Sequence, residues 1–159
     1  MSGDFTICVG MVGGGVFFSR DGGETWTMGV IKVPVPPWAP WIRIRYIDVD
    51  PRNDSHMLAG SDVGIYRSTD KGATWEHVPS PADDGYIHVW CVKFHPDDSN
   101  VIYMGLAPGA IHRTKDNGKT WEDCKAPVEP RCVVGSTHIT DIVFDPRDHD
   151  IIWASVEAS

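Results

Sequence analysis

The chain has 159 residues, 16 of them glycine and 12 proline, and a formal charge of −8 from 14 basic and 22 acidic side chains. That length can enclose one core. The acidic balance disfavours nucleic acid and anionic membranes as partners, and no run of 18 apolar residues is present to span a bilayer as a helix. The opening Met1-Ser2-Gly3-Asp4-Phe5 carries neither a basic nor an apolar leader segment, so the expected location is the cytoplasm.

In chain order, the first recognisable element is the short apolar run Gly15-Val16-Phe17-Phe18. It leads into Ser19-Arg20-Asp21-Gly22-Gly23-Glu24-Thr25-Trp26. The same pattern, (S/T)-x-D-x-G-x-T-W, returns as Ser68 to Trp75 after Gly64-Ile65-Tyr66, and as Thr114 to Trp121 after Ala110-Ile111-His112. The spacings are 49 and 46 residues. Each copy predicts a hairpin turn. The aspartate accepts backbone N–H groups, the fifth-position glycine supplies positive φ, and Thr-Trp re-enters a strand.

A second recurrence alternates with the first. Tyr46 to Pro51, Cys91 to Pro96 and Asp141 to Pro146 align on their prolines, and each is followed by a polar turn and a short apolar strand. One unit therefore reads as four strands: A ends at the proline, B follows the polar turn, C precedes the Asp turn and D begins at Thr-Trp. Self-similarity at this period indicates an array of propeller blades. The expected fold is all-β, a partial β-propeller of four-stranded antiparallel blades. Residues 5–30 supply a partial blade, 42–79 and 87–125 full blades, and 138–155 a second partial blade. Three blades and a fraction do not close a ring of about 4–8 blades. The expectation is an incomplete ring, or one completed by oligomerisation.

The three turns resemble the Asp-box, or BNR, repeat of sialidases, xyloglucan-degrading glycosidases, sortilin-type receptors and a photosystem assembly factor. The resemblance implies that Asp21, Gly23, Trp26, Asp70, Gly72, Trp75, Asp116, Gly118 and Trp121 are scaffold, on the face away from any ligand. The tryptophans then pack between blades.

Of the four cysteines, Cys8 and Cys91 lie in apolar strand patterns and read as buried thiols. Cys124 and Cys132 flank a proline-rich loop and could pair, although reduced thiols are the default without a leader.

The D–A and B–C connections share one face and vary in length, which marks them as the binding side. Counting back from the residue before each aligned proline, Arg43, His88 and His138 lie seven earlier, and Arg45, Trp90 and Thr140 five earlier. By simple alternation they share a strand face with Ile47, Val92 and Ile142. Arg43, Arg45, His88, Trp90 and His138 are candidate ligand residues near a channel mouth. Trp38 and Trp41, in a proline-stiffened loop, are candidates for an aromatic wall. Two imidazoles, His88 and His138, offer a divalent metal site, or Arg43 binds an acid while a histidine moves a proton. Equally, these side chains can simply hydrogen-bond neighbouring loops. Asp62 and Asp84 are the acidic candidates if the chain hydrolyses glycosides, although no carboxylate pair is marked out.

The expected function is a ligand- or partner-binding module, taking a carbohydrate, small molecule or protein, with no cofactor. A glycoside hydrolase of the sialidase or xyloglucanase sort is the alternative, and a histidine-lined metal enzyme the second. Ile42-Arg43-Ile44-Arg45 lacks the (F/Y)-R-I-P pattern of a sialidase.

Overall fold

The computed structural model describes residues 5–32, 42–128, 131–132 and 135–158. They form four sheets in sequence order, antiparallel except for one short strand of the second. The first comprises β1 (Ile7–Met11), β2 (Gly15–Ser19) and β3 (Thr27–Met28). After β3, β4 (Val30–Ile31) crosses to the second sheet, β5 (Ile44–Val49), β6 (Met57–Ser61), β7 (Gly64–Ser68) and β8 (Thr74–Val78), where it pairs in parallel with β8. The third sheet is β9 (His88–His95), β10 (Asp98–Ala107), β11 (Ile111–Thr114) and β12 (Glu122–Asp123). The fourth joins β13 (Arg131–Cys132), β14 (Gly135–Asp145) and β15 (Asp148–Ala158).

All three Asp turns close in the same way. Asp21, Asp70 and Asp116 each accept the N–H and the hydroxyl of the threonine four residues on. Ser19, Ser68 and Thr114 each accept the glycine N–H four residues on, at 2.8–2.9 Å, and donate to their aspartate. Gly23, Gly72 and Gly118 have φ of 103°, 87° and 88°, the left-handed region that side chains avoid. The turns are thus closed by their own short-range hydrogen bonds.

The core lies between sheets rather than within them. Val16 of the first sheet packs with Ala59, Tyr66 and Trp75 of the second. Leu58 and Ile65 of the second pack with Val89, Val92 and Met104, and Cys91 and Tyr103 of the third pack with Ile139 and Ile142 of the fourth. Cys91 is fully buried, and burial pushes its thiol up to about 12, so it behaves as an apolar residue. Cys8 is only half-buried, against Met57 and Lys71. Cys124 is an exposed free thiol, and the side chain of Cys132 lies outside the described residues.

Each innermost strand departs from the alternation expected of it. Register shifts separate Ile44 from Tyr46, Val89 from Cys91 and Ile139 from Asp141. Arg45, Trp90 and Thr140 are therefore the extra residues of three equivalent bulges, and a bulge re-aims the side chains around it. The apolar residue before each bulge returns to the core beside the residue three further on: Val89 with Val92, and Ile139 with Ile142. The polar positions consequently do not share a face with Ile47, Val92 and Ile142.

Candidate functional site

The bulges bring polar side chains of three successive sheets together. The guanidinium of Arg45 lies over the Trp90 ring, 4.4 Å from its centroid. Trp90 stacks in turn on His138, with centroids 4.2 Å apart and planes inclined by 16°. The result is a cation–aromatic–aromatic ladder with one member from each of β5, β9 and β14.

Ladder edges differ from ladder faces. Both faces of Trp90 are covered, so this ring offers no platform for a sugar. Its edge is another matter. Trp90 Nε1, Arg45 Nε and His138 Nδ1 are all buried without a hydrogen-bond partner among the described residues. Two of these can only donate. The other ring nitrogen of His138, Nε2, lies 3.0 Å from the Ser136 hydroxyl.

Arg43 and His88 border the ladder. Asp62 Oδ1 accepts the Arg43 N–H at 3.0 Å, and its other oxygen lies 3.7 Å from the guanidinium. His88 is held below the ordinary imidazole value by burial and then by Arg45, with Asp62 opposing and Arg43 adding to the effect. Arg45 is itself lowered, mainly by burial. Thr140 stands apart from the ladder and bonds to Ser155. Trp38 and Trp41 lie outside the described residues. Asp84 accepts the Tyr86 and Ile87 N–H groups at the end of a short 3-10 turn. Among the described residues, no three His, Cys, Asp or Glu side chains converge to hold a metal, His88 and His138 included.

One pleat along the same strands is a network that sequence reasoning missed. Tyr46 donates to Asp141 at 2.8 Å, the Lys93 ammonium sits 4.8 Å from the Tyr46 ring centroid, and Asp48 receives Lys93 and the Phe94 N–H. Burial holds Asp48 above the usual carboxylate range. These groups satisfy one another across sheets, and no repeated residue type marks them in the sequence.

Residues 64–158, more than half of the chain, match the family model described as "Sortilin, neurotensin receptor 3". The chain belongs to the Sortilin-Vps10 family. Within this Sortilin-Vps10 chain, residues 17–28 separately match the BNR/Asp-box repeat. Solved structures share its fold. An ancestral GH74 enzyme superposes with a TM-score of 0.73 at 18% identity, over 94% of this chain and 20% of that one. The GH74 enzyme of Niastella koreensis gives 0.63 at 20%, over 89% and 22%. YCF48 bound to a D1 peptide gives 0.58 at 19%, over 98% and 60%. At such identities the likeness is one of fold, the β-propeller, and the Sortilin-Vps10 chain spans only about a fifth of the GH74 enzymes' length. No curated protein matches it in sequence.

Proposed function

We propose that this propeller segment is a binding module whose ligand presents a carboxylate to the ladder of Arg45, Trp90 and His138. The observation that carries this reading is that all three stacked side chains hold a buried polar atom with no hydrogen-bond partner among the described residues. A buried donor without a partner costs about 1–3 kcal/mol. A planar acid oxygen that accepts from Arg45 Nε and Trp90 Nε1 would remove that cost, and Arg43 adds charge at the rim. A peptide is a fitting carrier of the carboxylate, in keeping with the D1 peptide bound by YCF48, a protein of the same fold.

The test is calorimetric titration with short peptides ending in a free carboxylate and with their C-terminal amides. The acids should bind at least about tenfold more tightly, the scale of one charge-assisted hydrogen bond. Arg45→Ala should remove the difference. Trp90→Phe keeps an aromatic ring between Arg45 and His138 but removes the indole N–H along with part of the ring, and should weaken binding by at least a similar factor. Equal affinity for acid and amide would overturn the reading.

Glycoside hydrolysis is the second reading, supported by the fold shared with GH74 enzymes. Asp62 is occupied by Arg43 and Asp84 by a turn, which leaves neither carboxylate free in its place. Turnover of a fluorogenic glucan or sialoside, abolished by Asp62→Asn, would establish it over the binding module.

A further inference from the structure

The ladder and the polar network beside it draw on the same three inner strands. Arg45, Trp90 and His138 stack from β5, β9 and β14, and Tyr46, Lys93 and Asp141 meet from those strands as well. Tyr46 and Asp141 hold equivalent positions. Each is the first residue paired after its bulge, Tyr46 with Gly60 and Asp141 with Ser155. Their counterpart in the sheet between is Cys91, paired with Gly105 and fully buried.

The strands β5 and β14 belong to the second and fourth sheets, with the third packed between them. The hydrogen bond from the Tyr46 hydroxyl to Asp141 Oδ1, at 2.8 Å, is therefore a strap that passes across the third sheet. Both of its ends are held. The Lys93 ammonium stands 4.8 Å from the Tyr46 ring centroid and 3.4 Å from Asp48 Oδ1, and Asp141 Oδ1 also accepts the Ile142 N–H at 2.9 Å. Burial holds the Tyr46 hydroxyl above the ordinary phenol value, so it keeps its proton and donates.

The strap fixes the separation of the strands that carry the two outer rungs. Arg45 directly precedes Tyr46, and His138 lies three residues before Asp141. Trp90 stands between these rungs, its ring centroid 4.4 Å from one and 4.2 Å from the other. A stack at contact distance is sensitive to that gap: a radial opening of about 0.5–1 Å forfeits roughly a quarter to a half of each contact. We infer that Tyr46 is a positioning residue, which through Asp141 holds β5 and β14 at the separation where Arg45, Trp90 and His138 stack. Its bearing on a ligand rests on the carboxylate reading above: with the stack opened, the Arg45 and Trp90 donors no longer keep the spacing that an acid meets.

The experiment is proton NMR of the His138 ring in the full chain, joined to calorimetric titration of the acid and amide peptides. Stacking on an indole moves the His138 ring protons upfield. Their resonances are assigned by their absence in His138→Gln, and Trp90→Leu gives their position without the stack. Tyr46→Phe deletes the hydroxyl alone. It should carry the resonances toward the Trp90→Leu position and reduce the preference for acid over amide from at least about tenfold to below about threefold. Asp141→Ala removes the same bond from the other strand and should do the same, while Asp141→Asn keeps an acceptor and should keep the parent spectrum. Tyr46→Phe and Asp141→Ala together should move the resonances no further than either alone. Should Asp141→Ala fail to fold, Tyr46→Phe still decides. His138 resonances that hold the parent position in Tyr46→Phe, or an Asp141→Asn chain that behaves as Asp141→Ala does, would overturn the inference. A parent chain indifferent to acid and amide, whose His138 resonances nonetheless move in Tyr46→Phe, overturns the carboxylate reading and upholds the strap.

Discussion

At the scale of single residues, the Asp turns show how far a short motif determines its own structure. Asp116 takes the hydroxyl and N–H of Thr120, the Thr114 hydroxyl and the Lys119 N–H. These donors hold its carboxyl at about 2, below the roughly 3.9 of an unconstrained aspartate. On acidification the unfolded chain takes up this proton first. The turn's contribution to stability is therefore complete above about pH 4 and is lost as pH falls toward 2. Asp116→Asn should lower the urea midpoint at pH 7, and the gap from the parent should shrink between pH 4.5 and 3. A gap that stays constant with pH would show that the carboxylate charge is not what the turn uses. Each of these hydrogen bonds to Asp116 spans four residues or fewer, which is why the turn was legible in the sequence.

At the scale of elements, the governing contact is between a glycine and a branched side chain. Gly10, Gly60 and Gly105 occupy matching places near the ends of β1, β6 and β10. A Cβ on each would fall 2.4–2.8 Å from a side-chain carbon of Ile44, Val89 and Ile139 respectively, the residues just before the three bulges. The glycine notch lets the next sheet approach, and the branched residue in the notch sets where the bulge begins. Gly105→Ala places a methyl group 2.5 Å from Cys91 Sγ and from Ile139 Cγ2. Overpacking of this kind costs about 1–3 kcal/mol. Ile139→Ala alone should cost about 2–5 kcal/mol, and the double variant should lose less than the sum, because the added methyl enters the vacated space. Additive losses in urea unfolding would remove the notch from the account. Strand order was readable from apolar runs and proline-centred turns, but strand limits were not: β10 begins at Asp98 and β15 at Asp148, inside segments expected to be polar turns, and β3 and β12 begin only after Trp26 and Trp121. The ladder was only half readable. Arg45, Trp90 and His138 were identifiable as polar positions at the start of inner strands, but one extra residue per strand changes which of them meet. Nothing in a run such as Ile87-His88-Val89-Trp90-Cys91 announces a bulge, because it follows from how the strand docks on its neighbours.

At the scale of the whole molecule, stability is distributed along the stack. The three cores lie between sheets, so a middle sheet is held on both sides and an end sheet on one. An array with nearest-neighbour coupling opens from its ends. Amide hydrogen exchange at low concentration should therefore be slowest in β6, β7, β9 and β10, around Leu58, Ile65, Val92 and Met104. It should be fastest in β1 and β15, whose outer edges carry no partner strand among the described residues. Uniform protection along the chain at low concentration would mean that the sheets open as one unit, with the inter-sheet cores too strongly coupled to fray.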